Sequence, residues 1–180
     1  MKVTPPHDSL GAAVALLLFG VASGLALDLF AKALLADYSL EQFVLLRSLV
    51  GLLFFLVIAR WYGGFSSLRS SRWRWHVFRT VLATGSMFGF FYGLIYMPLV
   101  NALTPAFTAP LIVTALSVPF LGEHVGWRRW LAVIIGFAGV LIILRPGTGQ
   151  FSFAAVAVLG SAVCYAGLAI TARKLAGTES

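Results

Sequence analysis

The stretch LDLFAKALLADYSLEQFVLLRSLVG, residues 27–51, decides the fold. It sets Asp28, Lys32 and Arg47 in sequence otherwise apolar enough for a bilayer interior, and a short polar turn at Ala36 to Ser39 divides it. It therefore reads as the ends of two membrane helices joined at that turn. Ser39 followed three residues later by Gln42 is a capping-box pattern that starts the second helix. Asp28 and Arg47 lie about nine residues from the turn on either side, roughly 14 Å below it at 1.5 Å per residue. They share a depth. Neighbouring helices in a hairpin pack about 8 to 10 Å apart, within reach of an Arg–Asp bridge if both side chains face inward. Lys32, at i+4 from Asp28, either joins that pair or snorkels to the surface.

Composition extends this reading to the whole chain. Of 180 residues, 60% are hydrophobic and 11% charged, and the mean hydropathy is +0.95. A soluble domain carries about 25% charged residues. Apolar runs of about 20 residues, each long enough for a hydrocarbon core about 30 Å thick, recur along the chain. Six spans are expected: Leu10 to Leu35, Leu40 to Tyr62, Trp75 to Met97, Ala102 to Leu121, Trp130 to Leu144 and Phe151 to Ala172. The runs are continuous rather than alternating, so they predict helices and not barrel strands. The fold class is an all-α polytopic membrane protein, with no water-exposed domain left over.

The net charge of +7 raises the question of nucleic acid, and its placement answers it. Arg60, Arg69, Arg72, Arg74 and Arg79 surround the loop after span two, Arg128 and Arg129 follow span four, and Arg173 and Lys174 close span six. The opposite connections carry only Lys32 and Arg145 at their edges. By the positive-inside rule this predicts a multi-pass protein with an even number of crossings and both termini cytoplasmic. All five tryptophans lie beside the basic loops, where amphipathic rings prefer the headgroup level. The charge is a topology signal, and loops this short exclude a nucleic-acid surface. Residues 1–27 have no convincing cleavage site and read as a retained first helix. The lone Cys164 reads as a packing residue.

A charge near the middle of a span costs about 2.5 to 3.5 kcal/mol on insertion scales, so such residues face a bundle interior or a wet cavity. Asp28, Lys32 and Arg47 thus form either a structural bridge or a site that touches solute. In GSMFGFFYG and GVASG, glycines at four-residue spacing (Gly85, Gly89 and Gly93; Gly20 and Gly24) make ridges for close helix packing. Neighbouring aromatics, Tyr92 among them, either wall a cavity or pack in the core. Span four, NALTPAFTAPLIVTALSVPFLGE, contains Pro105, Pro110 and Pro119. Each removes a backbone donor, and kinked helices of this kind line cavities or lie buried. Asn101, Thr104, Thr108 and Thr114 can satisfy the freed carbonyls, and the first three are candidates for polar lining.

Shifting the first span by 142 residues sets AVALLLFGVASGLALDLFAK on AVAVLGSAVCYAGLAITARK, with Lys32 on Lys174. A repeat that begins after five crossings starts from the opposite side of the membrane and is inverted. Residues 101–147, with a proline-containing fourth span, Gly122-Glu123 and a glycine-rich fifth span ending Arg-Pro-Gly, resemble the end of the first repeat of EamA-type proteins of the drug/metabolite transporter superfamily. DLFAK followed by RSLVG resembles the subgroup of riboflavin and S-adenosylmethionine uptake proteins. The resemblance implies ten helices in two inverted repeats around a shared cavity, working by alternating access on small metabolites. It assigns residues 1–147 to a first repeat and 148–180 to the start of a second, with the rest missing: a truncated chain, or a short form that assembles as a homodimer or with a second half-transporter, the alternative to transport being a non-transporting or partner-dependent membrane protein fragment. Glu123 is read as a helix-end anchor. The substrate or gate candidates are Asp28, Lys32, Arg47, Tyr92, Asn101, Thr104 and Thr108. No H-E-x-x-H, P-loop or acidic cluster is present, so neither an enzyme, a metal nor a cofactor is expected.

Overall fold

The computed structural model describes residues 8–61, 73–144 and 153–176. They form seven helices: α1 (Asp8–Leu34), α2 (Leu40–Trp61), α3 (Trp73–Tyr96), α4 (Leu99–Ala106), α5 (Ala109–Leu121), α6 (Trp127–Leu144) and α7 (Phe153–Ala176). Helices α4 and α5 are two parts of one crossing, Leu99–Leu121, so six segments are long and apolar enough to span a bilayer. The chain is thus an all-α, six-helix membrane-spanning bundle. The third and fifth spans begin two or three residues before their expected starts, the fourth begins at Leu99 and the sixth runs on to Ala176. Tyr62 and Phe151, expected as span ends, lie outside the described residues.

Local chemistry sets the ends. Ser39 and Gln42 make the expected reciprocal cap: the Gln42 amide donates to Ser39 Oγ at 3.3 Å, and the Ser39 amide to Gln42 Oε1 at 3.3 Å. Pro98 immediately precedes α4, a position that needs no amide donor. Between α4 and α5 the turn at Phe107 and Thr108 stays in the right-handed helical region. The interruption is therefore a kink rather than a reversal, placed where Pro105 and Pro110 remove donors. Helix α5 ends at Gly122, whose φ of 68° is left-handed and favours a residue without Cβ.

Helix α7 is the axis of the bundle, packed along α3 and against α4 and α5. The α3 glycines permit this approach. A Cβ at Gly89 would stand 2.6 Å from the Ala157 carbonyl oxygen, and one at Gly93 would collide with Val158. Ala154, Ala155 and Val158 of α7 are buried, in one core cluster with Phe91 and Leu94 of α3. The expected ridge on α1 has no such partner, since a Cβ at Gly20 or Gly24 would meet nothing within 4 Å. Helix α1 packs on α3 and α4, and α2 on α3. The two helices are joined at their turn but not packed along their length.

Side-chain contacts fix helix polarity. At one end Arg173 of α7 pairs with Glu123 at 3.7 Å, and Lys174 lies 5.7 Å from the Trp75 ring at the start of α3. At the other, Tyr92 near the end of α3 meets Phe153 at the start of α7.

Candidate functional site

Five crossings enclose a cavity of about 590 Å³. Asp28 of α1 and Arg47 of α2 supply its charges, and Ser86, Ser161 and Tyr165 its other polar side chains. Phe90, Phe91 and Phe107 supply aromatic wall. Phe107 and Tyr165 line it while remaining 67% and 55% exposed, so the cavity opens on that side. The depth match expected for Asp28 and Arg47 thus becomes a shared cavity. Among the described residues no ion pair within 4 Å joins them.

Arg47 is held by an aromatic contact instead. Its guanidinium carbon lies 5.1 Å from the centroid of the Phe91 ring, close enough for a cation–π attraction. Phe91, 2% exposed, is set edge-on to Phe43 at 4.9 Å and packs against Phe90 at 5.6 Å. The guanidinium N–H groups make no hydrogen bond among the described residues. Those donors are the groups that pair with a carboxylate in two-point geometry. Asp28 likewise has no hydrogen bond among the described residues. The site therefore sets one carboxylate and one guanidinium on the same volume, beside aromatic walls.

Lys32 is placed differently from either sequence expectation. Its ammonium donates to the carbonyl oxygens of Leu94 at 2.6 Å and Met97 at 2.7 Å. The reason is in the backbone: the residue four beyond Leu94 is Pro98, which has no N–H, so the Leu94 carbonyl lacks a helical donor. A cation at a helix C-terminus also complements the helix dipole. An unsatisfied backbone group in hydrocarbon costs several kcal/mol, which is comparable to the cost of placing the lysine there.

The remaining candidates do not line this cavity. Tyr92 stacks with Tyr96 at 4.8 Å and with Phe153 at 5.9 Å. Asn101 is exposed on α4. Thr104 Oγ1 donates to the Val100 carbonyl at 3.0 Å, and the fully buried Thr108 to that of Pro105 at 2.6 Å. The threonine hydroxyls are spent on their own crossing. Ser86, Phe107, Ser161 and Tyr165 escaped the sequence reading, although Ser161, Tyr165 and Leu168 recur at helical spacing on one face of α7. Among the described residues no three His, Cys, Asp or Glu side chains gather as a metal site.

A bundle of membrane-crossing helices around a cavity with two opposed charges defines a polytopic membrane protein with a polar interior. Residues 10–145 match the EamA-like transporter family, and the chain belongs to that family. It is 32% identical over 166 residues to an S-adenosylmethionine uptake transporter of Rickettsia bellii, covering 91% of this chain and 56% of the relative. A protein of the same description from Rickettsia felis is 33% identical over 119 residues, 66% of this chain and 40% of the relative. A riboflavin transporter of Vibrio cholerae is 33% identical over 115 residues, 63% of this chain and 39% of the relative. The chain spans about half the length of the curated relatives it matches. No solved structure matches it significantly. The family is a transporter family, not an enzyme family, and its bacterial members place the chain in the inner membrane.

Proposed function

We propose that this chain forms part of a secondary transporter that moves a small metabolite across the inner membrane by alternating access, and that the cavity bearing Asp28 and Arg47 is its solute site. The observation that carries the reading is the pair itself. Two opposite charges share one cavity without an ion pair between them, an arrangement whose desolvation cost a charged or zwitterionic solute would offset. The cavity volume is in the range of small-molecule sites, and the aromatic walls suit a solute with an apolar or planar body.

In this reading residues 1–147 are the first of two inverted repeats, 148–180 begin the second, and both chain ends lie in the cytoplasm beside the basic loops. Lys32, Tyr92, Asn101, Thr104 and Thr108 act at the gate or on the bundle rather than as direct cavity lining. The unpacked lengths of α1 and α2 support a second reading, in which the chain works only with a homodimer partner or a second half-transporter. S-adenosylmethionine and riboflavin, named for the relatives, are the first solutes to test. Uptake of either into proteoliposomes, lost in Arg47→Ala at unchanged membrane insertion, supports solute contact. Retained uptake in that variant removes Arg47 from the site.

A further inference from the structure

Lys32 and Asp28 stand one turn apart on the same face of α1, a spacing at which a lysine ordinarily neutralises an aspartate. Here the ammonium is engaged elsewhere. It holds the carbonyls of Leu94 and Met97, which flank the end of α3 just before Pro98. Those are the hydrogen bonds that tie α1 to the rest of the bundle among the described residues. Ala31, beside Lys32, and Leu35 are buried, whereas no residue from 11 to 30 is. Helix α1 is therefore anchored at one end only, and Asp28 sits a single turn from that anchor, facing the cavity.

We propose that Lys32 is a positioning residue for solute binding: the missing amide of Pro98 creates the carbonyl acceptor that draws the ammonium away from Asp28, so that one clasp both fixes α1 and leaves the carboxylate free for solute. The proposal rests on the reading of the cavity as the solute site, but its geometric half can be tested without any solute. Two consequences separate it from direct solute contact by Lys32. Loss of the ammonium changes the surroundings of position 28, and its effect on solute handling passes through Asp28.

The first consequence is read by thiol labelling of Asp28→Cys in a Cys164→Ser background, in membranes, with a water-soluble methanethiosulfonate reagent and rates taken per inserted chain. Lys32→Met should change the rate by about fivefold or more, as expected when a local tether is lost. Lys32→Arg, which keeps a cationic donor at position 32, should lie closer to the parent than Lys32→Met does. Equal rates in Lys32→Met and the parent overturn the proposal. If Lys32→Met fails to insert, Lys32→Gln carries the same test with the same thresholds.

The second consequence is a double-mutant cycle on uptake of S-adenosylmethionine and riboflavin. Lys32→Met should raise KM by about fivefold or more when Asp28 is present and add less than about twofold in an Asp28→Asn background. Additive effects would mean that Lys32 acts independently of Asp28 and would overturn the proposal. Absence of uptake in the parent would instead defeat the transport reading, while the labelling result would still decide whether the clasp exists.

Discussion

The guanidinium of Arg47 stands over the ring of Phe91, 5.1 Å from its centroid, and this contact links the bundle core to the cavity. Phe91 belongs to the buried core cluster and also touches Phe43 of α2, so the packing of the core also positions the charge. Replacing Phe91 by Ala should destabilise the protein by about 3 to 5 kcal/mol, the range for a buried phenylalanine. Phe91→Leu keeps most of the volume and removes the ring. It should lower the melting temperature only modestly and raise KM for solute severalfold, loss of the cation–π attraction being worth about 0.5 to 2 kcal/mol. Melting in detergent and uptake kinetics together check both outcomes.

The glycine seam should be intolerant on α3 and tolerant on α1. A valine at Gly93 meets Val158, and one at Gly89 meets the Ala157 carbonyl. Each should cost about 1 to 3 kcal/mol or more, because a tightly packed seam has little room to yield to added volume. A Cβ at Gly20 or Gly24 meets nothing within 4 Å, so Gly20→Val and Gly24→Val should leave stability nearly unchanged. Yields of folded protein from the four variants would compare the two ridges directly.

The reciprocal cap of Ser39 and Gln42 lies at the exposed start of α2. Ser39→Ala should cost about 1 kcal/mol, the typical value for loss of an N-cap hydroxyl. Gln42→Ala in that background should add little, since both changes break one reciprocal unit. Thermal unfolding of the single and double variants measures this.

At the opposite end Glu123 and Arg173 pair at 3.7 Å with roughly half of each side chain exposed. Exposure limits the pair to less than about 1 kcal/mol, and salt should weaken it further. Glu123→Gln should therefore shift stability only slightly, and less at high salt. Gly122→Ala should be the more damaging neighbour, because φ of 68° disfavours a Cβ. Melting temperatures at low and high salt would rank the two.

Much of the fold was legible because its signals are local. Apolar runs identify the crossings, Ser39 and Gln42 mark a cap, and Pro105 with Pro110 mark the kink. Asp28 and Arg47 were legible as a pair because hydrocarbon makes charge conspicuous and the turn gave both a depth. The rest depended on which helix faces which. Lys32 resembles a snorkelling lysine until the end of α3 arrives beside it, with a carbonyl that Pro98 leaves without a donor. Tyr165 and Ser161 were hidden in an apolar run, and only the docking of α7 against α3 turns their face to the cavity. The threonines of the fourth crossing misled as lining candidates because hydroxyls in hydrocarbon readily bond to a carbonyl three or four residues back.

The central claim is that solute occupies the cavity between Asp28 and Arg47. Its most direct test is solute protection of Ser86→Cys, a lining position, in a Cys164→Ser background, with S-adenosylmethionine and riboflavin each tried as solute and the one that gives uptake in proteoliposomes used for the labelling. The account predicts that saturating solute slows thiol labelling by about fivefold or more, as an occupied site excludes reagent. It also predicts that Arg47→Ala abolishes this protection. Labelling unaffected by a solute that is transported would place the solute elsewhere and contradict the account.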